Sequence, residues 1–221
     1  MFNALNRALK PKMKPGMGPI SHEKGTTFRV WAPNAQKVFV TGDFNDWNET
    51  ANPLTHEGDG YWATDVARAK SGDEYKFVLI NGEEKLHRID PYARQVTSSV
   101  GNSVIHDPEF DWQGTEAFQS PPWNELIIYE VHIGTFNPTS ENRVGTFKRA
   151  AQKLPYLREL GVNAVQVMPP MEFPGGRSWG YNLSLPFAVE SDYGGPKAFK
   201  EFIRAAHKNG IAVILDVVYN H

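Results

Sequence analysis

Three polar side chains follow an apolar run at the end of the chain. The run Ile211–Leu215 leads directly into Asp216, and Asn220 and His221 come within the next five residues. An isolated aspartate in this position is a simple turn former about as often as it is a catalytic residue. A carboxylate, an amide and an imidazole grouped together favour a catalytic site. In a parallel α/β barrel the chemistry lies at the carboxyl ends of the strands. We therefore predict that these residues contribute to such a site.

The elements that must position this cluster follow a parallel α/β pattern. The apolar runs Leu126–Val131, Val162–Met168 and Ile211–Leu215 lack polar alternation and predict strands buried on both faces. Two apolar stripes at helical spacing separate them: Phe147, Ala150, Ala151 and Leu154, then Phe199, Phe202, Ile203 and Ala206. Pro155 should break or kink the first helix, and Pro196 suits the first turn of the second.

Periodicity alone leaves two architectures open for this half of the chain. A doubly wound sheet and a (β/α)8 barrel fit the pattern equally well. The missing Gly-x-Gly-x-x-Gly turn after the first strand disfavours a dinucleotide-binding fold. The long insertion from Pro169 to Gly195 would lie on the catalytic face of a barrel.

The composition excludes several classes of function. Of 221 residues, 23 are basic and 25 acidic, so the net charge of −2 gives no footprint for nucleic acid or an anionic membrane. Cysteine is absent, which excludes disulfides and thiolate sites. No apolar run approaches the roughly 20 residues of a membrane span, and no signal-peptide core is apparent at the start. We expect a cytoplasmic protein with no membrane or nucleic-acid partner.

Residues 22–108 follow a different period, that of an antiparallel β-sandwich. Alternating segments such as Thr27–Pro33 and Glu74–Ile80 are separated by glycine-rich breaks, and Asn81-Gly82 predicts a hairpin. Short strands at this spacing indicate an immunoglobulin-like sandwich of under 100 residues. Residues 1–21 read as a flexible tail, residues 109–124 as a linker, and residues 125–221 as the α/β part.

The tryptophans of the sandwich bear on its function. Trp31 and Trp62 lie within strand patterns, so we expect both in the core. Trp47 lies in the polar loop Gly-Asp-Phe-Asn-Asp-Trp-Asn, where a large aromatic is seldom fully buried. An indole stacks well on the apolar face of a sugar ring, which makes Trp47 a candidate binding residue.

Several motifs together resemble the α-amylase family. In the sandwich they are Phe-Arg-Val-Trp-Ala-Pro, Gly-Asp-Phe-Asn-Asp-Trp, Gly-Asp-Glu-Tyr-Lys-Phe and Asp-Pro-Tyr-Ala; in the α/β part they are Tyr-Glu-Val-His-Ile-Gly-Thr-Phe, Glu-Phe-Pro-Gly-Gly-Arg-Ser-Trp-Gly-Tyr-Asn, Asp-Tyr-Gly-Gly-Pro and Asp-Val-Val-Tyr-Asn-His. The first set resembles the glycogen- and starch-binding sandwich of branching enzymes, isoamylases and trehalohydrolases. The second resembles the opening of the catalytic barrel. The resemblance implies a sandwich followed by the first three β/α units of an incomplete (β/α)8 barrel.

For the sandwich, the resemblance implies glucan contacts at Trp47, Lys76 and Asn102. Strongly binding relatives place a second tryptophan just after the Asn-Gly turn, whereas here Asn81-Gly82 is followed by Glu83-Glu84-Lys85. The module is therefore expected either to bind α-glucan weakly or only to dock on the barrel.

For the barrel, the resemblance implies a retaining mechanism with an aspartate nucleophile and a glutamate acid/base. Tyr181 would stack under the sugar at the cleaved bond, and His221 would hydrogen-bond a hydroxyl of that ring. Asp216 would orient an arginine beside the nucleophile. Asn220 corresponds to a ligand of structural calcium in some amylases; no other cofactor is implied.

The family's nucleophile and acid/base lie after the third strand, beyond His221, so no catalytic carboxylate is assigned in this chain. Glu130 and Glu172 do not match those positions. We expect the 221 residues to be a fragment of a larger enzyme and to be inactive alone.

The motifs do not settle which α-glucan reaction is involved. Gly-Asp-Phe-Asn-Asp-Trp favours a 1,4-α-glucan branching enzyme, and the Glu-Phe-Pro-Gly-Gly-Arg-Ser-Trp-Gly-Tyr run favours a malto-oligosyltrehalose trehalohydrolase. An isoamylase-type debranching hydrolase is a further alternative, and so is a non-catalytic protein that only binds glucan. All four alternatives have an α-glucan, such as glycogen, starch or malto-oligosaccharides, as the partner.

Overall fold

The computed structural model describes residues 16–139 and 144–220. His221 and most of the predicted tail lie outside the described residues. The described chain comprises two parts, an antiparallel β-sandwich and a parallel α/β unit.

Nine strands form the sandwich. They are β1 (Gly18–His22), β2 (Gly25–Trp31), β3 (Lys37–Gly42), β4 (Thr55–Gly58), β5 (Tyr61–Val66), β6 (Glu74–Asn81), β7 (Glu84–Arg88), β8 (Gln95–Val96) and β9 (Ser103–Val104). One sheet has the order β1-β2-β5-β4, and the other has β3-β6-β9-β8 with β7 also paired to β6. All pairings are antiparallel. The predicted hairpin at Asn81-Gly82 is confirmed, because it joins β6 to β7 with Gly82 at φ +60°.

The inward side chains of both sheets form one core. Alternation along β2 buries Thr26, Phe28 and Val30, as a period of two requires. Phe28 meets Tyr75 of the other sheet edge-to-face, with ring centroids 4.9 Å apart. Tyr75 is fully buried, and its hydroxyl donates a 2.6 Å hydrogen bond to the buried carboxylate of Asp90.

Two expectations for the sandwich are wrong. The tail does not extend to residue 21, because Gly18–His22 pair with β2; β1 is an edge strand, where Pro19 is tolerated. Trp31 is not in the core but 53% exposed, because it ends β2 on the outward face. Trp62 is buried as predicted, and its indole N–H donates to the Ala32 carbonyl at 3.0 Å.

Five strands and three α-helices make up the second part within residues 125–139 and 144–220. They are β10 (Ile128–Val131), α1 (Phe147–Ala151), α2 (Leu154–Glu159), β11 (Ala164–Val167), β12 (Met171–Glu172), β13 (Leu185–Val189), α3 (Gly195–Lys208) and β14 (Ala212–Leu215). Strands β10, β11 and β14 are parallel neighbours in that order, and β12 and β13 form a separate antiparallel pair. The predicted break is confirmed, because α1 ends at Ala151 and Pro155 lies in the first turn of α2. Pro196 lies in the first turn of α3.

The parallel sheet is covered on one face. Val131, Val165 and Val167 pack with Phe147 and Phe202 of the helices in a single core. Ile128 on the other face is 47% exposed. Burial on both faces is therefore not found for β10 in the described residues. Leu215 of β14 is in register with Val167 on the helix-covered face, yet it is 42% exposed. Strand β14 pairs with β11 alone among the described strands.

The segment predicted as a linker lies along α3. Lys200, Arg204 and Lys208, spaced one turn apart on the helix, donate to Pro108 O, Asp111 O and Gln113 Oε1 at 2.6–2.8 Å. Further contacts join the two parts, since Ala93 and Val96 pack with Leu185 and Ala188. These contacts fix the sandwich against the α/β unit.

Candidate functional site

Tyr181 and Asp216 meet at the carboxyl edge of the parallel sheet. Asp216 directly follows β14, and its backbone N–H donates to the Val167 carbonyl at the end of β11, at 3.1 Å. The Tyr181 hydroxyl donates to Asp216 Oδ2 at 2.8 Å. Two of the predicted site residues, 35 positions apart, are thus in direct contact. Their roles toward a sugar remain predictions.

Gly180 fixes the backbone just before Tyr181. Its φ is +90°, and a Cβ there would lie 2.1 Å from the Pro169 carbonyl oxygen. No other residue type fits so close an approach in that conformation. The turn at Gly180 therefore holds Tyr181 at the sheet edge.

The electrostatics keep Tyr181 protonated. The hydrogen bond to Asp216, with smaller contributions from burial and the charges of Asp216 and Glu130, raises the pKa of Tyr181. Glu130 is exposed and accepts a 3.2 Å hydrogen bond from Gln166 Nε2. The hydroxyl therefore remains a donor to Asp216, which leaves the ring as the group available for stacking.

Two further residues, Asn220 and His221, were predicted for this edge. Asn220 is exposed, and His221 lies outside the described residues. Within the described ranges no group of three or more His, Cys, Asp or Glu side chains is arranged to hold a metal ion. The calcium ligand at Asn220 stays a prediction.

A buried carboxylate pair at the ends of β12 and β13 was not predicted from the sequence. Glu172 and Glu190 are each 1% exposed. Burial raises the pKa of both, and the Glu172 charge helps to bring that of Glu190 to about 7. They flank residues 173–189 of the insertion, which include Tyr181, and their burial favours a structural role. The polar and apolar pattern of the sequence does not predict that Glu190 is buried.

His132 anchors the same insertion from the end of β10. Its Nε2 lies 2.8 Å from the Ser178 carbonyl and 3.0 Å from the Tyr193 hydroxyl, while Nδ1 lies 2.9 Å from Thr135 Oγ1. Because a carbonyl only accepts, Nε2 carries the proton toward Ser178. A depression of about 520 Å³ beside it is lined in part by Trp179, which is 71% exposed.

A second candidate surface lies on the sandwich. Trp47, Lys76 and Asn102, predicted together as glucan contacts, line one depression of about 350 Å³ with Thr41, Glu49 and His87. Trp47 is 37% exposed and has φ +59°. Its indole N–H donates to Asp43 Oδ1 at 3.0 Å, which holds the ring in place.

The other members of this depression are also oriented. Asn102 Nδ2 donates to Glu74 Oε2 at 2.7 Å. Glu49 accepts from Lys85 and lies 2.7 Å from His87 Nε2, and these contacts, that with Lys85 first, lower the pKa of Glu49. The β7 hairpin thus presents an ion-pair network near the aromatic ring. A single indole in a polar, preformed surface suits one face of a sugar chain.

Two family models match this chain. Residues 16–93 match carbohydrate-binding module 48, the isoamylase N-terminal domain, and residues 130–221 match the α-amylase catalytic domain. None of the helices in the described ranges is long and apolar enough to cross a bilayer.

Curated relatives carry two different activities in their names. A malto-oligosyltrehalose trehalohydrolase of Saccharolobus solfataricus is 40% identical over 90% of this chain, and a 1,4-alpha-glucan branching enzyme of Oceanobacillus iheyensis is 37% identical over 90% of it. The chain spans about a third of the length of each, 33% in both cases.

Solved structures agree with these matches. A Salmonella typhimurium structure assigned as an alpha amylase is 38% identical with a TM-score of 0.81, covering 93% of this chain and 33% of the other. A pullulanase of an Anoxybacillus species, complexed with maltotetraose, is 27% identical with a TM-score of 0.74, covering 93% and 35%. The chain therefore matches a carbohydrate-binding module 48 followed by part of an α-amylase catalytic domain, in agreement with the resemblance to the α-amylase family.

Proposed function

We propose that the chain is part of an α-glucan-active enzyme of glycogen or starch metabolism, in which the sandwich binds glucan and the α/β part helps to form the catalytic cleft. The observation that carries the proposal is the meeting of Trp47, Lys76 and Asn102 in one depression. An indole to stack on a pyranose, an ammonium and an amide to bind its hydroxyls supply the chemistry that a neutral sugar chain requires.

The α/β part supports the catalytic half of the proposal. We interpret its three parallel strands as the first three β/α units of a (β/α)8 barrel, whose chemistry lies at the carboxyl strand ends. Tyr181 would stack on the sugar at the cleaved bond, held by its 2.8 Å hydrogen bond to Asp216. Asp216 would use its remaining acceptor capacity to orient an arginine beside the nucleophile.

The reaction class proposed is retaining double displacement at α-1,4 or α-1,6 bonds. In the family the nucleophile and acid/base follow the third strand, so these 221 residues would bind and orient the sugar without cleaving it. Glu172 is buried, and its carboxylate accepts hydrogen bonds from the N–H and the hydroxyl of Ser191 at 2.8 and 3.2 Å. These contacts support a structural role for Glu172 and not that of a catalytic carboxylate. A cytoplasmic setting remains part of the proposal.

Branching activity is the form of the function that we favour, with trehalohydrolase and isoamylase-type debranching as alternatives. The Gly42–Trp47 loop favours branching, whereas the Glu172–Tyr181 run and the 40% identity to a trehalohydrolase favour trehalohydrolase activity. Competition for glycogen binding separates branching from trehalohydrolase activity. If the protein is of the branching type, linear malto-oligosaccharides should displace it from glycogen as well as malto-oligosyltrehalose of equal length does.

Native gel electrophoresis in the presence of glycogen tests the binding half. We expect the chain to be retarded by glycogen and Trp47→Ala to be retarded less, with Trp123→Ala, an 85% exposed tryptophan elsewhere, as the matched control. Equal mobility of the parent with and without glycogen would mean that the sandwich only docks on the α/β part.

Incubation of the chain with amylose tests the catalytic half. Iodine colour and released reducing ends should match the blank, because no assigned nucleophile or acid/base is present. Turnover above the blank would overturn the carboxylate assignment and direct attention to Asp216, Glu130 and Glu172.

A further inference from the structure

The outer face of the first sheet carries a second exposed aromatic platform. Trp31 is 53% exposed, more than the 37% of Trp47. Tyr61 is its direct partner across the β2–β5 pair, so the two rings are cross-strand neighbours. This surface belongs to the β1-β2-β5-β4 sheet, whereas Thr41 and Lys76 of the Trp47 depression belong to the opposite sheet.

The Trp31 ring is fixed in orientation by its edge. Its indole N–H donates to the Asp59 carbonyl at 3.1 Å. The turn before β5 presses against the same edge, since a Cβ on Gly60 would lie 3.1 Å from Trp31 Nε1 and 2.7 Å from Pro33 Cα. The N–H at the ring edge already has a hydrogen-bond acceptor within the protein, while about half of Trp31 stays exposed. A ligand that stacks on it therefore meets a ring that loses little freedom on binding.

The charges around the platform are paired. The Arg29 guanidinium lies 4.6 Å from the centroid of the Tyr61 ring. Its Nε donates to Glu57 Oε2 at 2.8 Å. The charges of Arg29 and Glu57 thus cancel beside the Tyr61 ring. Aromatic rings among paired polar groups suit a neutral polyhydroxylated chain.

We propose that Trp31 and Tyr61 form a second α-glucan-binding surface, on the opposite sheet from Trp47. This inference rests on the proposed glucan-binding function. A branched glucan presents many chain ends, so two surfaces on one module strengthen its retention without any new contact at either one. The paired tryptophan that is missing after Asn81-Gly82 is thereby compensated by a separate platform.

Glycogen gel electrophoresis of five variants tests this surface. We expect the apparent dissociation constant to rise about fivefold for Trp31→Ala, the loss of roughly one ring-stacking interaction. Trp31→Phe, which keeps a ring but loses the N–H bond to Asp59, should retain most of the affinity. Trp47→Ala should weaken binding separately, the double variant more than either, and Trp123→Ala should match the parent.

The outcomes separate this inference from the proposed function. Parental affinity in Trp31→Ala with weakened Trp47→Ala overturns the second surface and leaves the function standing. Trp31→Phe as weak as Trp31→Ala would show that a ring at this position adds nothing to binding, which also overturns the second surface. No retardation of the parent overturns both. Circular dichroism and thermal unfolding of each variant establish that it is folded.

Discussion

Glu172 and Glu190 each accept a hydrogen bond from the backbone that follows the other. Ser191 N donates to Glu172 Oε2 at 2.8 Å, and Phe173 N donates to Glu190 Oε2 at 3.2 Å. This exchange clamps the two ends of the insertion that carries Tyr181. Both carboxyls are buried, so the clamp depends on pH.

Replacement of Glu190 by glutamine should flatten the pH dependence of stability. Burial, followed by the Glu172 charge, raises the pKa of Glu190 from 4.5 to about 7. A carboxyl whose pKa is raised on folding contributes stability below about pH 4.5 that is lost as the pH rises through about 7. We expect Glu190→Gln to recover on the order of 2 kcal/mol of this loss between about pH 5 and pH 8, measured by urea unfolding. Glu159→Gln, at an exposed site, should behave as the parent; a parental slope for Glu190→Gln would contradict the assignment.

Removal of the Tyr75 hydroxyl should destabilise the sandwich. The hydroxyl donates to Asp90 Oδ2 at 2.6 Å, and both residues are fully buried. Burial raises the pKa of Asp90 to about 6, while the hydrogen bonds from Tyr75 and the Tyr92 backbone oppose the rise. Tyr75→Phe should therefore cost about 1–3 kcal/mol of unfolding free energy.

The pH dependence identifies the cause of that loss. Without the tyrosine the Asp90 pKa rises further, so the cost should be larger at about pH 8 than at about pH 5. Tyr219→Phe, at a residue 72% exposed, is the control and should be neutral. A cost independent of pH would point to altered packing in place of the lost hydrogen bond.

Neutralising Asp216 should lower the pKa of Tyr181. The hydrogen bond to Asp216 is the largest cause of the raised tyrosine pKa, and the Glu130 charge is the smallest. Alkaline titration of tyrosinate absorbance, with Tyr181→Phe subtracted to isolate the one residue, should show a clear fall in Asp216→Asn. Glu130→Gln should produce a smaller fall. Equal effects of the two substitutions would mean that the contact between Tyr181 and Asp216 does not form in solution.

Loss of the lysine and arginine contacts on α3 should expose residues 109–124 to protease. Lys200 and Arg204 hold the carbonyls of Pro108 and Asp111, and Arg204 lies 4.9 Å from the centroid of the Phe110 ring. The double alanine variant should be cut by chymotrypsin at this segment several times faster. Lys197→Ala, at an exposed position of the same helix, should not change the rate. Cleavage of the parent as fast as the double variant would show that the segment is a free linker.

Local patterns predicted the elements well where one backbone period dominates. The alternation in β2, the stripe of α3 and the proline at the start of α2 all act within a few residues, and each element formed as expected. The motifs also identified Trp47, Lys76 and Asn102 as one group, although this came from resemblance and not from spacing.

Errors arose where burial depends on what lies opposite an element. Trp31 has the same strand context as Trp62, yet it faces outward and is exposed because it ends its strand beside the Asp59-Gly60 turn. Strands β10 and β14 are apolar, yet only one face of their sheet is covered by helices of the described chain. Apolar composition indicates that a strand tends to be buried, but it does not indicate which element covers it.

The amino-acid sequence by itself determined the two-part architecture and the chemical types available at each strand end, because periodicity and turn residues act locally. The contact of Tyr181 with Asp216, the burial of Glu172 beside Glu190 and the placing of Trp31 opposite to Trp47 were decided by the tertiary structure alone. Each depends on residues far apart in the chain, whose meeting is set by how the sheets, the helices and the insertion pack together.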